Sequence, residues 1–273
     1  MNAIDMPSGW GDRLFTMFMR TLVYALYAFL LAPLICVVIV SFNAEAVQTF
    51  PPQHWSFHWY TVAMQTQSFT HGLVVSALLA LVATLIAGPA GVAAALALNR
   101  SNWKGKAWVE AIFLAPLVVP GLVAGIAILV ATAALNIRDA PVRLLIGHIV
   151  IVLPYVIRTT LASLARLDPT LGEAALTLGA GRFTAFRLII LPLIRQGMLA
   201  GMLFGFILSF DDVSVSLFLS DARTVTLPLA IMSYLQYSFD PSVAAISTLL
   251  IGVTLIFIIV LERRMGVKKL FTG

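Results

Sequence analysis

Long apolar stretches are the feature that most limits how this sequence can fold. The first, residues 21–42, contains no charged residue and is long enough to cross a bilayer as a helix, which takes about 20 residues. Further apolar stretches follow at residues 71–98, 107–135, 144–164, 193–219 and 243–261. Hydrophobic residues make up 60% of the 273-residue chain and charged residues only 11%, against about 25% in soluble domains. The sequence therefore predicts an all-α integral membrane protein with six transmembrane helices.

The basic residues predict the orientation of these helices. All of the 17 Lys and Arg residues except Arg138, Arg143 and Arg223 fall on one side of the predicted membrane, and cytoplasmic loops carry the excess of basic residues. Both termini are therefore predicted to be cytoplasmic. This divides the chain into a cytoplasmic segment at 1–20, a membrane domain at 21–261 and a cytoplasmic tail at 262–273. Because the basic residues are spread over several membrane-flanking loops, we expect no nucleic-acid partner.

The first predicted outer loop, residues 43–70, is rich in Pro, Trp, Phe and Tyr. Such a stretch suits either anchoring at the membrane interface or docking of a partner, and the sequence leaves both open. His54 and His58 are four residues apart in this loop without a third ligand nearby, and Cys36 is the only cysteine. We therefore expect no metal site and no disulfide.

The predicted cytoplasmic loop at residues 166–192 differs from a passive connector because its pattern is helical. One apolar stripe at helical spacing is formed by Leu171, Ala174, Ala175 and Leu178. A second helical stretch at 184–191 leads into Pro192, which can open the next predicted span. The loop is thus predicted to be a helix-turn-helix that lies beneath the membrane.

The ends of the first loop helix carry recognisable capping signals. Either Asp168 caps the helix ahead of Pro169 at its first position, or Thr170 and Glu173 form a capping box. Gly179 and Gly181 are then expected to end the helix, because glycine adopts the left-handed conformation that closes a last turn.

The same loop carries a spaced set of residues that resembles a known motif. Glu173-Ala174-Ala175 is followed after three residues by Gly179, and after nine more by Ile189-Ile190-Leu191-Pro192. This pattern is similar to the E-A-A motif of membrane subunits of binding-protein-dependent ABC importers, at every fixed position and both spacings. Residues 41–43, 115–117 and 209–212 extend the resemblance, which is to the second permease type of the spermidine and putrescine importer family.

The resemblance implies a type I ABC importer permease fold in which the loop at 166–192 supplies a coupling helix. The residues that it implies for coupling to the ATPase are Glu173, Ala174, Ala175, Gly179, Ile189, Leu191 and Pro192. For Glu173 two interpretations stay open, a helix cap and an ATPase contact. The implied partners are a cytoplasmic ATPase dimer, a second six-span permease subunit that is a different chain, an extracytoplasmic solute-binding protein and membrane lipid. The implied location is the bacterial cytoplasmic membrane.

No cofactor is expected on this chain itself. Gly105-Lys106 lacks the preceding glycine and the following Ser or Thr of a phosphate-binding loop, so ATP and Mg are expected on the partner ATPase. No nucleophile, base and acid are spaced as in a known catalytic motif. We therefore expect a non-catalytic subunit.

Asp211 and Asp212 interrupt the fifth apolar stretch, and acids at membrane depth are costly unless they face water, protein or a partner charge. A straight helix from Leu193 would place Asp211 roughly 27 Å above the inner boundary, in the outer part of the membrane. The pair suits an amine substrate that enters from outside. Alternatively, the acids cap a helix break or pair with a basic residue of a neighbouring subunit. His148 in the fourth stretch could line the pathway or serve packing.

Three functions fit these observations. The first is a permease subunit for a polyamine such as putrescine or spermidine, and the second is a related permease for another small solute, such as an opine, an aminophosphonate or ferric iron. The third is a secondary transporter driven by an ion gradient. Secondary transporters usually carry acid or His relays in several spans or inverted repeats, and the intramembrane acids here are confined to one pair. The sequence therefore favours an ABC permease.

Overall fold

The computed structural model describes residues 10–47, 49–168 and 170–265. These residues form α-helices and connecting turns, with a single isolated β-bridge between Asn43 and Trp55. The helices are α1 (Trp10–Val40), α2 (His58–Gln65), α3 (Gln67–Arg100), α4 (Lys106–Leu114), α5 (Gly121–Ala134), α6 (Ala140–Leu164), α7 (Thr170–Thr177), α8 (Arg182–Ala185), α9 (Leu191–Phe210), α10 (Ser216–Leu219), α11 (Leu227–Tyr234) and α12 (Ser242–Met265).

Several of these helices can cross a membrane by length and composition. Four in the described part do so: Trp10–Val40, Gln67–Arg100, Ala140–Leu164 and the continuous helix Arg182–Phe210. A bent pair would be a fifth, and the apolar stretch Ser242–Ile256 within α12 is shorter than a span. The all-α membrane fold is therefore confirmed, while the count of six spans stays a prediction.

The third predicted span is not one straight helix. Lys106–Leu117 and Gly121–Ala134 meet at an angle of 109°, and Pro120 is the N-cap residue directly before α5. Proline has no backbone N–H and disfavours a helical conformation in the residue before it, so a helix that arrives from the N-terminal side ends ahead of it. A Cβ atom on the next residue, Gly121, would lie 2.8 Å from the Ser214 Cβ atom. The bend thus brings α5 against the segment that follows α9.

The fifth predicted span begins earlier and ends earlier than residues 193–219. α8 passes through a π-helical turn at Phe186–Ile190 into α9 without a break. In that turn the Leu191 N–H donates to the Phe186 carbonyl, and the wider turn accommodates Pro192, whose ring would clash with an α-helical carbonyl four residues earlier. α9 ends at Phe210, so the prediction of one span to Leu219 was wrong.

The described residues fall into two compact units, one made of residues 66–237 and the other of residues up to 65 and from 238 onward. In the larger unit α3, α6 and α9 pack around a buried apolar core of Ala87, Val92, Ala95, Leu98, Val152, Val156, Ile157, Leu164 and Ile194. The smaller unit holds α1, α2 and α12, and α12 contacts both of the others. The division into 1–20, 21–261 and 262–273 stays a prediction.

Glycines set the distance between α6 and α9. Gly197, Gly201 and Gly205 recur every fourth residue of α9. A Cβ atom at Gly201 would lie 2.9 Å from the Val156 Cα atom, and one at Gly205 would lie 2.5 Å from a methyl carbon of Val152. Small residues at this spacing let two helix backbones approach closely, which is a common packing mode of membrane helices.

Aromatic side chains close the first predicted outer loop in the smaller unit. The Phe42 ring lies 5.2 Å from the Phe57 ring and 5.3 Å from the Tyr60 ring, and the Ser41 and Tyr60 hydroxyls are hydrogen-bonded at 2.6 Å. His54 precedes α2, so the spacing of four to His58 is not the helical spacing of a metal-binding pair. Part of the aromatic content of this loop therefore serves packing within the chain.

Candidate functional site

The first helix of the predicted cytoplasmic loop is capped by Asp168. Its Oδ1 atom accepts hydrogen bonds from the Thr170 hydroxyl at 2.7 Å and the Thr170 N–H at 2.9 Å, and these bonds lower the pKa of the Asp168 carboxyl. Glu173 is exposed, and its carboxylate makes no hydrogen bond or ion pair within the described residues. The capping box of Thr170 and Glu173 is therefore absent, and Pro169 lies outside the described residues.

Gly179 ends α7 with a left-handed turn. Its φ angle is +87°, a conformation that favours glycine. The Gly179 N–H donates to the Leu176 carbonyl and the Ala180 N–H to the Ala175 carbonyl, both at 3.0 Å. This pair of bonds is a Schellman motif, which satisfies carbonyls left open at a helix end. The predicted helix stop at Gly179 is confirmed.

The loop presents an apolar surface that the rest of the described chain leaves uncovered. Leu178 is 88% exposed, Phe183 73% and Leu188 67%. Ala174 is also exposed, whereas Ala175 is buried against its own chain. Exposed large apolar side chains at this density mark a surface that contacts another molecule.

A groove of about 770 Å³ lies beside this surface, between the C-terminal ends of α3 and α6 and the loop helices. Glu173 and Leu176 of α7 line it together with Ile189 of the π-helical turn. Leu191 is half-buried and Pro192 exposed where α9 begins. The residues of the motif thus lie along the chain from α7, through the π-helical turn, to the start of α9.

The two acids after α9 have different surroundings. The Asp212 carboxylate accepts hydrogen bonds from the Val215 N–H at 3.1 Å, the Ser216 N–H at 2.8 Å and the Ser216 hydroxyl at 3.0 Å. It therefore caps the short helix α10, as one of the two alternatives for this pair foresaw. Asp211 is exposed, and its carboxylate has no hydrogen bond or ion pair in the part of the chain that the structure describes.

His148 of α6 lies behind the acids. It is fully buried, with its Nδ1 atom 2.7 Å from the Ser209 hydroxyl and its Nε2 atom 3.1 Å from the Ser216 hydroxyl. His148 thus does not line an open pathway but joins α6, α9 and α10. Its serine partners are 61 and 68 residues away in sequence, so no local pattern could have revealed the contact.

Besides the hydrogen bonds of His148 and Asp212, glycine contacts and apolar side chains hold the segment at residues 211–219. A Cβ atom at Gly125 of α5 would lie 3.1 Å from the Val215 Cα atom, and one at Gly147 of α6 would lie 2.9 Å from a Val215 methyl carbon. Val215 and Leu219 form a buried cluster with Leu144. The segment is therefore packed into the ends of α5 and α6 and is not a free loop.

Comparisons with known proteins agree on one class of protein. The family described as "Binding-protein-dependent transport system inner membrane component" matches residues 87–266. The spermidine/putrescine transport system permease protein PotC of Escherichia coli (strain K12) is 35% identical over 239 residues, which cover 86% of this chain and 89% of that protein. The putrescine transport system permease protein PotI of the same strain is 29% identical over 233 residues, or 83% of each chain.

A solved structure shares the fold. It is the crystal structure of a bacterial ABC transporter involved in the import of the acidic polysaccharide alginate. The similarity has a TM-score of 0.72 and covers 93% of this chain and 98% of that chain, at 18% sequence identity. At this identity the likeness concerns the fold alone.

Proposed function

This chain belongs to the family of binding-protein-dependent transport system inner membrane components, and from that membership we propose that it forms half of a pathway for polyamines. It is a permease subunit of an ABC importer, a class that works with a cytoplasmic ATPase and a solute-binding protein. The observation that carries the proposed substrate is the identity of 35% to a spermidine/putrescine permease across 86% of the chain.

In the proposed assembly the chain spans the bacterial inner membrane six times with both termini in the cytoplasm. A second six-span permease subunit, a different chain, completes the pathway, and lipid surrounds both. ATP and Mg bind to the ATPase, while this subunit is non-catalytic and binds no cofactor. The distribution of basic residues supports the orientation, since all but three of the 17 Lys and Arg residues lie on the predicted cytoplasmic side.

The loop at residues 166–192 is the proposed ATPase contact. Its exposed side chains Leu178 and Phe183 would be covered by a cleft of the ATPase, which gives the apolar surface a partner. Glu173 is available for a polar contact because Asp168, and not Glu173, caps α7. The residues proposed for coupling remain Glu173, Ala174, Ala175, Gly179, Ile189, Leu191 and Pro192.

Asp211 is the acid proposed to meet the substrate. Its carboxylate is exposed, whereas that of Asp212 is engaged by Val215 and Ser216. An ammonium group is a strong partner for an exposed carboxylate because charge-assisted hydrogen bonds are stronger than neutral ones. Asp212 is included in the proposed substrate pathway because it is the residue next to Asp211.

The test is uptake of labelled putrescine and spermidine by cells that lack their own polyamine importers. The cells carry the full set of genes for this importer, with wild-type permease, Asp211→Asn or Asp221→Asn. We expect uptake that stops on ATP depletion, and a loss of roughly tenfold or more in Asp211→Asn, the scale of one charge-assisted hydrogen bond.

Asp221→Asn is the matched control. Asp221 lies on the same predicted side, and hydrogen bonds from the Thr224 and Arg223 N–H groups lower the pKa of its carboxyl, so the variant removes one negative charge there. We expect uptake close to wild type. If the assembled wild-type importer carries neither amine, the polyamine assignment fails. If both variants lose uptake equally, Asp211 has no special role.

A further inference from the structure

We propose that His148 is a positioning residue for the acid pair: it holds Ser216, and through Ser216 the Asp212 carboxylate, so that Asp211 faces the pathway. The inference rests on the proposed function, because it assigns the device that fixes the substrate-facing acid. Its basis is a hydrogen-bonded chain from α9 through α6 to α10 that runs through one fully buried imidazole.

The direction of each hydrogen bond in this chain follows from its last member. A carboxylate accepts but does not donate, so the Ser216 hydroxyl gives its only hydrogen to Asp212, at 3.0 Å. The Ser216 oxygen then accepts from His148, which requires the hydrogen of the ring to sit on Nε2. Nδ1 is left as an acceptor for the Ser209 hydroxyl at 2.7 Å. Every polar atom of the imidazole is thereby satisfied in one tautomer.

Burial makes this arrangement specific. His148, Ser209 and Ser216 are each nearly or fully inaccessible to solvent. Water therefore cannot fully compensate the free energy of a hydrogen bond that is lost among them. Without the bond from the ring, the Ser216 hydroxyl would still donate to the Asp212 carboxylate. The Val215 and Ser216 N–H groups already hold the Asp212 carboxylate. The ring nitrogen adds a constraint on the Ser216 hydroxyl that those two bonds do not supply.

The segment that carries the acids needs such a constraint. α10 has only four residues, and a helix of this length has no stability of its own. Its apolar anchors, Val215 and Leu219, hold the segment against α5 and α6, but apolar contacts are not directional. The bonds from the Val215 and Ser216 N–H groups to Asp212 supply direction within the segment. The link from His148 to Ser216 ties the segment to α6, and Asp211, one residue before Asp212, is oriented with it.

The test uses two substitutions of His148 whose side-chain amides each stand in for one of the two ring nitrogens. His148→Gln places an amide nitrogen near the position of Nε2 and preserves the bond to Ser216, whereas His148→Asn reaches only toward Ser209. Ser216→Ala breaks the link from the other side. Thr160→Val is the matched control, since Thr160 is a fully buried residue of the same helix whose hydroxyl has no partner in the described part of the chain.

The purified importer, with its ATPase and its binding protein, is reconstituted in proteoliposomes. Labelled putrescine uptake and ATP hydrolysis stimulated by the binding protein are measured together. We expect His148→Asn and Ser216→Ala to lower uptake per ATP about fivefold, the factor for one lost buried hydrogen bond, while ATP hydrolysis per assembled importer is unchanged. His148→Gln and Thr160→Val stay near wild type. The double variant His148→Asn with Ser216→Ala is no worse than either single variant, because both break the same link.

A second measurement decides the positioning role whatever the substrate is. In a Cys36→Ala background, the thiol introduced by Val215→Cys is buried in the native packing and reacts slowly with a water-soluble maleimide. We expect His148→Asn to raise its labelling rate about fivefold and His148→Gln to leave it unchanged. Without putrescine uptake by the wild type, the polyamine assignment falls and this labelling pattern still supports or overturns the role of His148.

Three outcomes would overturn the inference. One is uptake per ATP in His148→Asn equal to that of wild type. Another is an equal loss in His148→Asn and His148→Gln, since that would show a need for the ring and not for the bond to Ser216. The third is a parallel fall of uptake and ATP hydrolysis, which would mean that His148 serves only folding.

Discussion

Asp211 and Asp212 are neighbours in sequence but do different work in the structure. Asp212 receives two backbone N–H groups and one hydroxyl, while the Asp211 carboxylate is exposed. One acid therefore builds the end of α9 and the start of α10, and the other is available to a ligand. In the proposed pathway, Asp211 would supply the charge that meets the substrate, and the bonds of Asp212 would fix the position of that charge.

The two acids should differ in their effect on local stability. Asp212→Ala removes a helix cap, which costs about 0.5–2 kcal/mol, so amide exchange at Val215 and Ser216 should speed up. Asp211→Ala should leave exchange at these amides unchanged, because its side chain bonds to neither. Hydrogen exchange followed by mass spectrometry of the assembled importer measures both. Equal protection in wild type and Asp212→Ala would contradict the capping role.

At the scale of single residues the sequence predicted what depends on near neighbours. The stop at Gly179 and a cap for α7 were predictable because their partners lie within five residues. The role of His148 was not, since its contacts depend on how α6 and α9 pack. Serines before and after an acid pair are too common to indicate that a histidine lies between them.

At the scale of elements, the predicted cytoplasmic loop joins α7 to the continuous helix Arg182–Phe210 through a turn that only glycine fits well. The φ angle of Gly179 is +87°, and a side chain in that region costs roughly 1–2 kcal/mol. Gly181, two residues later, has an ordinary extended backbone with open space around its Cα atom. In this turn a side chain is therefore strained at position 179 but tolerated at position 181.

This difference gives a prediction for coupling. Gly179→Asp should disturb the turn between α7 and α8 and lower polyamine uptake at least about fivefold, the effect of roughly 1–2 kcal/mol, while basal ATP hydrolysis continues. Gly181→Asp adds the same charge without the backbone strain and should retain most of the uptake. Uptake and ATP hydrolysis are measured on equal amounts of assembled importer. Normal uptake by Gly179→Asp would remove this turn from the coupling mechanism.

The limits of prediction from sequence are visible in the third and fifth spans. Hydropathy predicted an apolar stretch in each case, but it carries no information on the direction of a helix axis. The bend of 109° before Gly121 could therefore not be predicted from it. The end of the fifth span was placed at Leu219 because residues 213–219 are again largely apolar. In the structure Asp212 accepts the N–H group of Ser216, where the short helix α10 begins, and the apolar residues of this segment are buried against α5 and α6.

At the scale of the whole molecule, the larger unit depends on the close approach of α6 and α9. The glycines at positions 197, 201 and 205 are a sequence signal that periodicity alone would have revealed, since small residues every fourth position mark a helix contact in membranes. What the sequence does not provide is the partner helix. That α6 is the partner follows only from the packing of Val152 and Val156 against these positions.

Filling this contact should destabilise the folded permease. Gly201→Val would push against the Val156 Cα atom and the Tyr155 carbonyl, at a cost of about 1–3 kcal/mol for overpacking. Gly252→Val is the control, since nothing lies within 4 Å of a Cβ atom there. Thermal unfolding of the purified permease in detergent should show a lower Tm for Gly201→Val only. An equal Tm for the two variants would mean that α6 and α9 can separate without cost.

The unbroken helix from Arg182 to Phe210 has a mechanical consequence. Its 29 residues span about 43 Å at 1.5 Å per residue, and Gly201 presses it against α6 at an inner point of its length. Gly197 and Gly205 extend this contact over two turns. If the helix tilts about this contact as a rigid rod, the end nearest the loop and the end nearest Asp211 move in opposite directions. A tilt of about 5° about that fulcrum would shift the loop end by roughly 2 Å. Opening on one side of the membrane and closing on the other would then be a single motion.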